Sequence, residues 1–309
     1  MSRVLLTGAT GFLGRHILEH LLVAGYGEVH AACRRPPEGD RRAVRWHAAD
    51  LRDPAAAALL MATVRPSHLV HAAWIATPGL YLHAVENLDW LAAGLALARA
   101  FGEQGGRRFV GLGSSAEYAP GDVPCREDDT PIRPASLYGK CKAGCWRAIE
   151  AAAQHHGYSA AWGRVFLPYG PGDAPQRLIP SLIAALAAGT VIETSHGLQE
   201  RDFVFAPDIA AMVTALLAGS APGAFNIGSG QGVAVRTAIE ALADHFGARA
   251  LLRFGARALA PGEPMHLVAD MSKTRTALGL AEPLSLAAGL ARILPELGRR
   301  TGAPEKSGA

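Results

Sequence analysis

The first fourteen residues restrict the fold more than any other stretch. Val4-Leu-Leu-Thr-Gly-Ala-Thr-Gly-Phe-Leu-Gly14 is an apolar run, then glycines spaced GxxGxxG, and it leads into an amphipathic pattern carried by Ile17, Leu18, Leu21 and Leu22. A strand that turns tightly into a helix needs glycine at the turn. It also leaves bare backbone N–H groups at the positive end of the helix dipole, where an anion is stabilised. Such a turn is expected to hold the pyrophosphate of a dinucleotide on Gly8, Gly11 and Gly14, with Thr10, Phe12 and Leu13 between them against the cofactor. A glycine triplet alone is weak evidence. Its place directly after a strand, at the start of the chain, makes it specific.

Beyond the turn, short β-branched or apolar runs alternate with longer helical patterns, as in βαβ units that feed a parallel sheet. Strands are predicted at Val4–Leu6, Val29–Ala31, Val44–Trp46, Leu69–His71, Phe109–Gly111 and Ala160–Trp162, and helices starting near Gly11, Pro54, Tyr81 and Ser136. Right-handed crossovers put those helices on both faces of one sheet. From about Pro168 the texture changes to segments punctuated by Pro and Gly, including Pro168-Tyr-Gly-Pro-Gly172 and Pro261-Gly-Glu-Pro264. The expected fold is α/β: a Rossmann doubly wound parallel sheet with a smaller C-terminal substrate-binding lobe. The dinucleotide-binding domain is expected over residues 1–167 and the lobe mainly over 168–309, with segments at about 201–230 returning to the first domain. A chain of 309 residues has room for both. The tail from Arg299 to Ala309 is expected to fray.

The formal net charge is +3 and no Lys/Arg run exceeds a pair, which argues against a nucleic-acid partner and leaves room for an anionic substrate. No apolar stretch reaches the roughly 18 residues of a membrane span, and no signal-type segment precedes the first strand, so a cytoplasmic protein without membrane contact is expected. Cys33, Cys125, Cys141 and Cys145 fit neither a CxxC pair nor a zinc spacing; they read as reduced thiols, and no metal is expected. Cys141 and Cys145 share a helix face, for which core packing is preferred over ligation.

The end of the second strand bears on which nicotinamide is held. NAD-selective sites place an acidic residue about 20 residues after the turn to accept the ribose hydroxyls. Here the position reads Ala32-Cys-Arg-Arg35. Guanidinium donors match a 2′-phosphate instead, so NADP(H) is expected, with Arg34 favoured over Arg35 and NAD(H) possible. The alternative is that both arginines start a solvated loop before Pro36 and Pro37.

Tyr138-Gly-Lys-Cys-Lys142 sets a phenol and an ammonium four apart, on one helix face. Reducing a carbonyl requires a proton for the developing alkoxide. A phenol with pKa near ~10 is a poor donor unless a cation favours its phenolate. Lys142 can do so while bonding the nicotinamide ribose. Phe109-Val-Gly-Leu-Gly-Ser-Ser115 brings hydroxyls to the carboxyl edge of the sheet, where ligands bind, and Ser114 can hydrogen-bond the carbonyl oxygen. Taken alone, Ser114 and Ser115 read better as simple turn residues.

Together the glycine turn, Asp50-Leu51, His71-Ala-Ala73, Ser114 and the Tyr138/Lys142 pair resemble the extended short-chain dehydrogenase/reductase family of NAD-dependent epimerase/dehydratase type, which includes nucleotide-sugar epimerases, dehydratases and ketoreductases. The resemblance continues through Arg164, Tyr169-Gly-Pro-Gly172, Gln199-Glu-Arg-Asp-Phe203, Asp208, Asn226-Ile-Gly-Ser-Gly230 and Asp270-Met-Ser-Lys273, nearly the whole chain. It implies that Asp50 and Leu51 lie against the adenine and Ala72 and Ala73 beside the diphosphate, and that Ser114, Tyr138 and Lys142 form the catalytic set. It also implies Arg201, with Arg177 and Ser115 as further candidates, on the nucleotide-sugar substrate, a structural role for Asn87, and a homodimer through helices near Leu88–Phe101 and Leu137–Ala153. The alternatives are a solvent-facing charge for Arg177, a surface role for Asn87, and ordinary core packing for the Ala and Leu of the two helices.

The departures narrow the reaction. Dehydratases of the family follow the catalytic Thr with Asp–Glu, where this chain has Ser115 and Ala116, and members that epimerise through an enol need Cys at Ala116. Glu117, one residue along an extended segment, is expected to point elsewhere. Many relatives have Asn in place of Leu167, which puts the usual sugar–diphosphate contact in doubt. The preferred expectation is an NADPH-dependent ketoreductase, or the reverse oxidation, on a nucleotide-activated 4-keto-6-deoxyhexose. The rivals are a nucleotide-sugar C4-epimerase with tightly bound NAD, an NADPH reductase of small non-nucleotide carbonyls, and a non-catalytic cofactor-binding sensor.

Overall fold

A computed structural model describes residues 2–39 and 42–301, with side chains described through residue 294. In chain order the elements are β1 (Arg3–Thr7), α1 (Phe12–Val23), β2 (Glu28–Cys33), β3 (Val44–Ala48), α2 (Pro54–Val64), β4 (His68–His71), α3 (Asn87–Glu103), β5 (Arg108–Ser114), α4 (Leu137–His156), β6 (Ser159–Val165) and β7 (Leu167–Tyr169). There follow α5 (Leu178–Ala187), β8 (Ile192–Thr194), β9 (Glu200–Phe205), α6 (Ala206–Ala218), β10 (Gly223–Ile227), β11 (Gly232–Ala234), α7 (Val235–Phe246), β12 (Leu252–Phe254), β13 (His266–Leu267), α8 (Ser272–Leu278) and α9 (Leu286–Thr301).

Seven of these strands form one parallel sheet in the order β10-β6-β5-β4-β1-β2-β3. The order reverses between β1 and β4, which opens a crevice at their carboxyl ends. Strands β1, β4 and β5 carry almost unbroken buried apolar residues, as a sheet covered on both faces requires. One face is packed by Ile17, Leu18 and Leu21 of α1 with Ile209, Val213 and Leu216 of α6. On the other, Leu60 and Met61 of α2, Leu97 and Phe101 of α3 and Ile149 of α4 meet Leu5, Leu69 and Phe109. A third apolar cluster joins α5, α7 and α9 around Phe203 and Phe205, beside the small sheet in which β9 pairs with β7, β11 and β13. Strand β10 rejoins the main sheet from within this later part of the chain.

Each of the six strand expectations falls inside an observed strand, and three of the four helix starts agree within a residue. The exception is Tyr81. Residues 78–83 form turns, and α3 begins at Asn87, whose side chain donates to the carbonyls of Tyr81 at 2.7 Å and Ala84 at 2.8 Å. These bonds hold the preceding turn outside the helix. Asn87 is fully buried and its Oδ1 accepts from Trp74 Nε1 at 2.9 Å. Of the tail expected to fray, Arg299 to Thr301 belongs to α9 and residues 302–309 lie outside the described residues. Among the described residues no helix is long and apolar enough to cross a membrane.

Strand β5 contains two glycines for a packing reason. The indole of Trp162, fully buried on neighbouring β6, occupies the space that a Cβ on Gly111 or Gly113 would take. A second packing feature makes stability depend on acid. Burial holds the imidazoles of His30, His47 and His68 below their ordinary range and presses His71 down to about 3. These groups bind a proton more weakly when folded, so their contribution is complete above about pH 6.5 and declines as pH falls below it. The melting temperature should therefore drop steadily from pH 7 to pH 5 in calorimetry; a flat profile across that range would contradict the burial of these rings.

Candidate active site

The turn between β1 and α1 is shaped by what glycine alone permits. Gly8 has φ +72°, and a Cβ there would meet the backbone of Ala72 and Ala73 at 2.7–2.8 Å. At Gly14 a Cβ would collide with the carbonyl oxygen of Gly8. Gly11 donates to that oxygen at 2.9 Å and is the N-terminal cap of α1 without a side-chain hydrogen bond, so the first amides of the helix face outward bare. A cradle closed to any Cβ and lined by free amides fits a pyrophosphate.

The cleft above this turn measures about 320 Å³ and draws on the carboxyl ends of β1, β4, β5 and β6. It gathers Gly8, Gly11, Phe12, Leu13, Gly14, Ala72, Ser114, Ser115, Tyr138, Lys142, Arg177 and Arg201 from positions spread over nearly 200 residues. The other sequence candidates stand around it. Ala73 donates its N–H to Thr7 Oγ1 at 3.4 Å directly under the turn, and Thr10 is exposed within the turn. Leu51 is buried behind the second strand pair, whereas Asp50 is held by Arg52 at 2.7 Å, which lowers its carboxyl to about 2. Arg34 and Arg35 are exposed just past β2, on the same sheet edge, and the charge of Arg34 acts on Asp50.

Ser136 caps α4 through its side chain, accepting from Gly139 N–H at 3.1 Å, and this start sets Tyr138 and Lys142 on the helix face turned to the cleft. Burial raises the Tyr138 phenol above the ordinary tyrosine value, the Tyr81 phenol pushes the same way, and a hydrogen bond with Ser114 draws it down. The Tyr81 ring stands edge-on to that of Tyr138 at 4.9 Å between centroids, with the Arg177 guanidinium 4.9 Å from its own centroid. Lys142 is buried: its Nζ donates to Leu112 O at 2.6 Å and lies 3.9 Å from the Trp74 ring centroid, against 5.8 Å for Tyr138. Burial lowers this ammonium to about 8. In this arrangement the lysine is seated on an indole and a carbonyl rather than on the phenol.

Arg177 caps the start of α5 instead of lying within it, and donates to Ala76 O at 3.1 Å, so it braces the cleft wall. Arg201 is buried, with one arm on Glu263 at 2.8 Å and another on Glu200 O at 2.8 Å. Sequence reading missed Trp74, Ile75, Tyr81, Val165, Phe166, Pro168 and Leu267, which also line the cleft. Trp74 follows His71-Ala-Ala73 directly, so its place past the end of β4 was the available signal.

Two other motifs turn out to stitch the chain together. Asp202 is fully buried and accepts from Ser229 N–H and Oγ, Gly230 N–H and Ala269 N–H. Asn226 accepts from the Tyr118 hydroxyl at 2.7 Å and donates to the carbonyls of Cys125 and Asp270. Cys141 and Cys145 are buried free thiols, and Cys145 packs against Gly94. Glu117 stays out of the cleft lining, as expected, but by a different route. The segment after Ser114 is a 3₁₀ turn, Ser115–Glu117, not extended chain, and the turn swings the glutamate under Ser114 into the sheet.

Comparison with known proteins agrees with this geometry. A solved structure of MoeE5 in complex with UDP-glucuronic acid and NAD superposes with a TM-score of 0.83 at 30% identity, covering 97% of this chain and 100% of that one. A dTDP-6-deoxy-L-talose 4-dehydrogenase (NAD(P)(+)) of Kitasatospora kifunensis is 31% identical over 263 residues, 80% of each chain. A UDP-glucose 4-epimerase of Azospirillum brasilense is 29% identical over 305 residues, 90% of this chain and 86% of that one. Residues 4–228 match the enzyme family to which the cradle, the parallel sheet and these relatives all point: the chain belongs to the NAD dependent epimerase/dehydratase family.

Proposed function

We propose that this enzyme is an NADP(H)-dependent ketoreductase of a nucleotide-activated sugar, a 4-keto-6-deoxyhexose, working in either direction. One observation carries the choice of reaction: among the described residues lining the cleft there is no carboxylate, imidazole or thiol, and Tyr138, Tyr81, Lys142, Arg177 and Arg201 are its titratable groups. Eliminating water or moving a proton on carbon needs a second acid/base group beside the tyrosine. Reduction of a ketone needs one proton donor. The relative from Kitasatospora kifunensis, by its name a sugar 4-dehydrogenase, supports the reading.

Gly8, Gly11 and Gly14 would hold the pyrophosphate, with Thr10, Phe12 and Leu13 around it, Ala72 and Ala73 beside it, and Asp50 and Leu51 towards the adenine. Bound nicotinamide supplies hydride chemistry. The chain's own residues do the rest: Tyr138 holds the proton at its phenolic oxygen, Ser114 orients the carbonyl oxygen, and Lys142 provides the positive charge that eases proton release once it leaves Trp74 for the ribose. Arg201 and Arg177 offer paired donors to the substrate diphosphate, and Ser115 a hydroxyl to the sugar. Arg34, with Arg35, would select NADP(H). The exposed Leu88 and Leu95 of α3 suit a homodimer across α3 and α4.

Two measurements test this reading. NADPH should bind more tightly than NADH, and Arg34→Ala should weaken NADPH by about 10- to 100-fold, the value of a charged hydrogen bond, while leaving NADH unchanged. In a thermal-shift series over UDP, GDP, CDP and dTDP, one nucleotide should raise the melting temperature. A second reading, a 4-epimerase, is favoured by the Azospirillum brasilense relative; protein that purifies with stoichiometric NAD and turns over without added cofactor would establish it over ours. Protection by none of the four nucleotides would point instead to a small carbonyl substrate.

A further inference from the structure

Glu117 is completely buried directly behind the cleft wall, and three donors hold its carboxylate. Oε1 accepts the Ser114 N–H at 2.9 Å and the Trp162 indole N–H at 2.9 Å; Oε2 accepts Arg164 Nε at 2.9 Å. Ser114 Oγ in turn accepts the Ala116 N–H at 3.2 Å. The result is a reciprocal cap on the 3₁₀ turn: the backbone of Ser114 is held by Glu117, and its hydroxyl oxygen is held at the turn with the hydrogen left to point elsewhere. On the opposite side Ser114 lines the cleft together with Tyr138, and its hydroxyl draws the phenol's proton affinity down.

From this arrangement we propose that Glu117 is a positioning residue for proton transfer: its carboxylate fixes the Ser114 hydroxyl beside the Tyr138 phenol and sets an Arg164-paired charge behind Tyr138 and Lys142. Glu117 lies outside the cleft lining and does not reach substrate, which separates this role from that of an acid/base group. The charged and titratable groups facing Glu117 are Arg164 from β6, Tyr118 from the following turn, and Tyr138, Lys142 and Cys145 from α4. Its charge raises the proton affinity of both Tyr138 and Lys142. It therefore keeps the Lys142 ammonium charged to higher pH, the charge that eases release of the phenolic proton.

The proposal rests on Tyr138 as proton donor in the reading above, so the test separates the two. The chain has four lysines, Lys140, Lys142, Lys273 and Lys306, and their side chains can be titrated by NMR with labelled lysine, without substrate. Glu117→Gln should move the Lys142 titration to lower pH and leave the other three in place. In turnover, kcat for reduction should fall about 10- to 100-fold, the cost of misplacing a reacting group, with NADPH affinity unchanged. The basic limb of the kcat profile should shift to lower pH, which a loss of folded protein alone would not cause. Because the single variant strands Arg164, Glu117→Gln/Arg164→Gln serves as a second protein in which the Lys142 titration must again move down. A folded variant with Lys142 and the basic limb both unmoved would overturn the proposal. Wild-type protein that reduces no nucleotide sugar would overturn the proposed function instead and leave the lysine titration to decide the role of Glu117.

Discussion

Tyr138→Phe should cost about 10²- to 10⁴-fold in kcat, the range expected when a general acid is removed, and should leave NADPH affinity close to that of the wild type. The reasons are local. The phenol sits on the cleft wall beside Ser114, while the cradle at Gly8 and Gly14 belongs to a different turn. Phenylalanine keeps the edge-on packing against Tyr81 and removes one oxygen. Steady-state kinetics with a fluorescence titration of NADPH would check both halves, and unaltered kcat would remove Tyr138 from the mechanism.

Arg164→Met should be the most destabilising single change near the site, by about 3–5 kcal/mol, because it leaves the buried Glu117 carboxylate without its counter-ion. Arg164 also donates to the Tyr118 hydroxyl at 3.1 Å and stacks over that ring, so one substitution undoes two contacts. The melting temperature should fall by about 5–8 °C. Calorimetry would show it, and replacing Glu117 and Arg164 together by glutamine should recover part of the loss, since no lone charge then remains. Equal destabilisation by the single and double changes would mean that the pair contributes packing rather than charge.

How much of this was legible in the sequence depends on range. The strands of the main sheet from β1 to β6 and the starts of α1, α2 and α4 could be read because each is signalled locally: an unbroken apolar run, a glycine turn, a capping serine or a proline at the first helical position. The start of α3 was misplaced because its signal is not local. Asn87 closes the turn behind it while its Oδ1 is held by Trp74, which β4 brings alongside. Glu117 does stay out of the cleft, but its backbone was not legible: alternation along a strand no longer holds where the strand ends, and the donors that draw the side chain inward come from β6, more than forty residues on. Ser114, Tyr138 and Lys142 were identifiable as residue types with a mechanistic use. That Lys142 rests on Trp74 was not, since helix spacing fixes the face and not the partner. Arg201 was found by its motif, but Glu263, which already occupies one of its arms, lies in a loop that sequence periodicity does not address.

Trp162 and the two glycines facing it have a consequence for how this site can change. The indole fills the volume above Gly111 and Gly113 and also supplies one of the three donors to Glu117. No one of these four positions can drift alone: a side chain on either glycine evicts the indole, a smaller residue at 162 opens a void beneath two glycines, and each alters the carboxylate's surroundings. Laboratory evolution towards new substrates should accordingly leave this quartet untouched or replace it wholesale, and accept variation along the opposite wall, at Ile75, Leu167 and Leu267.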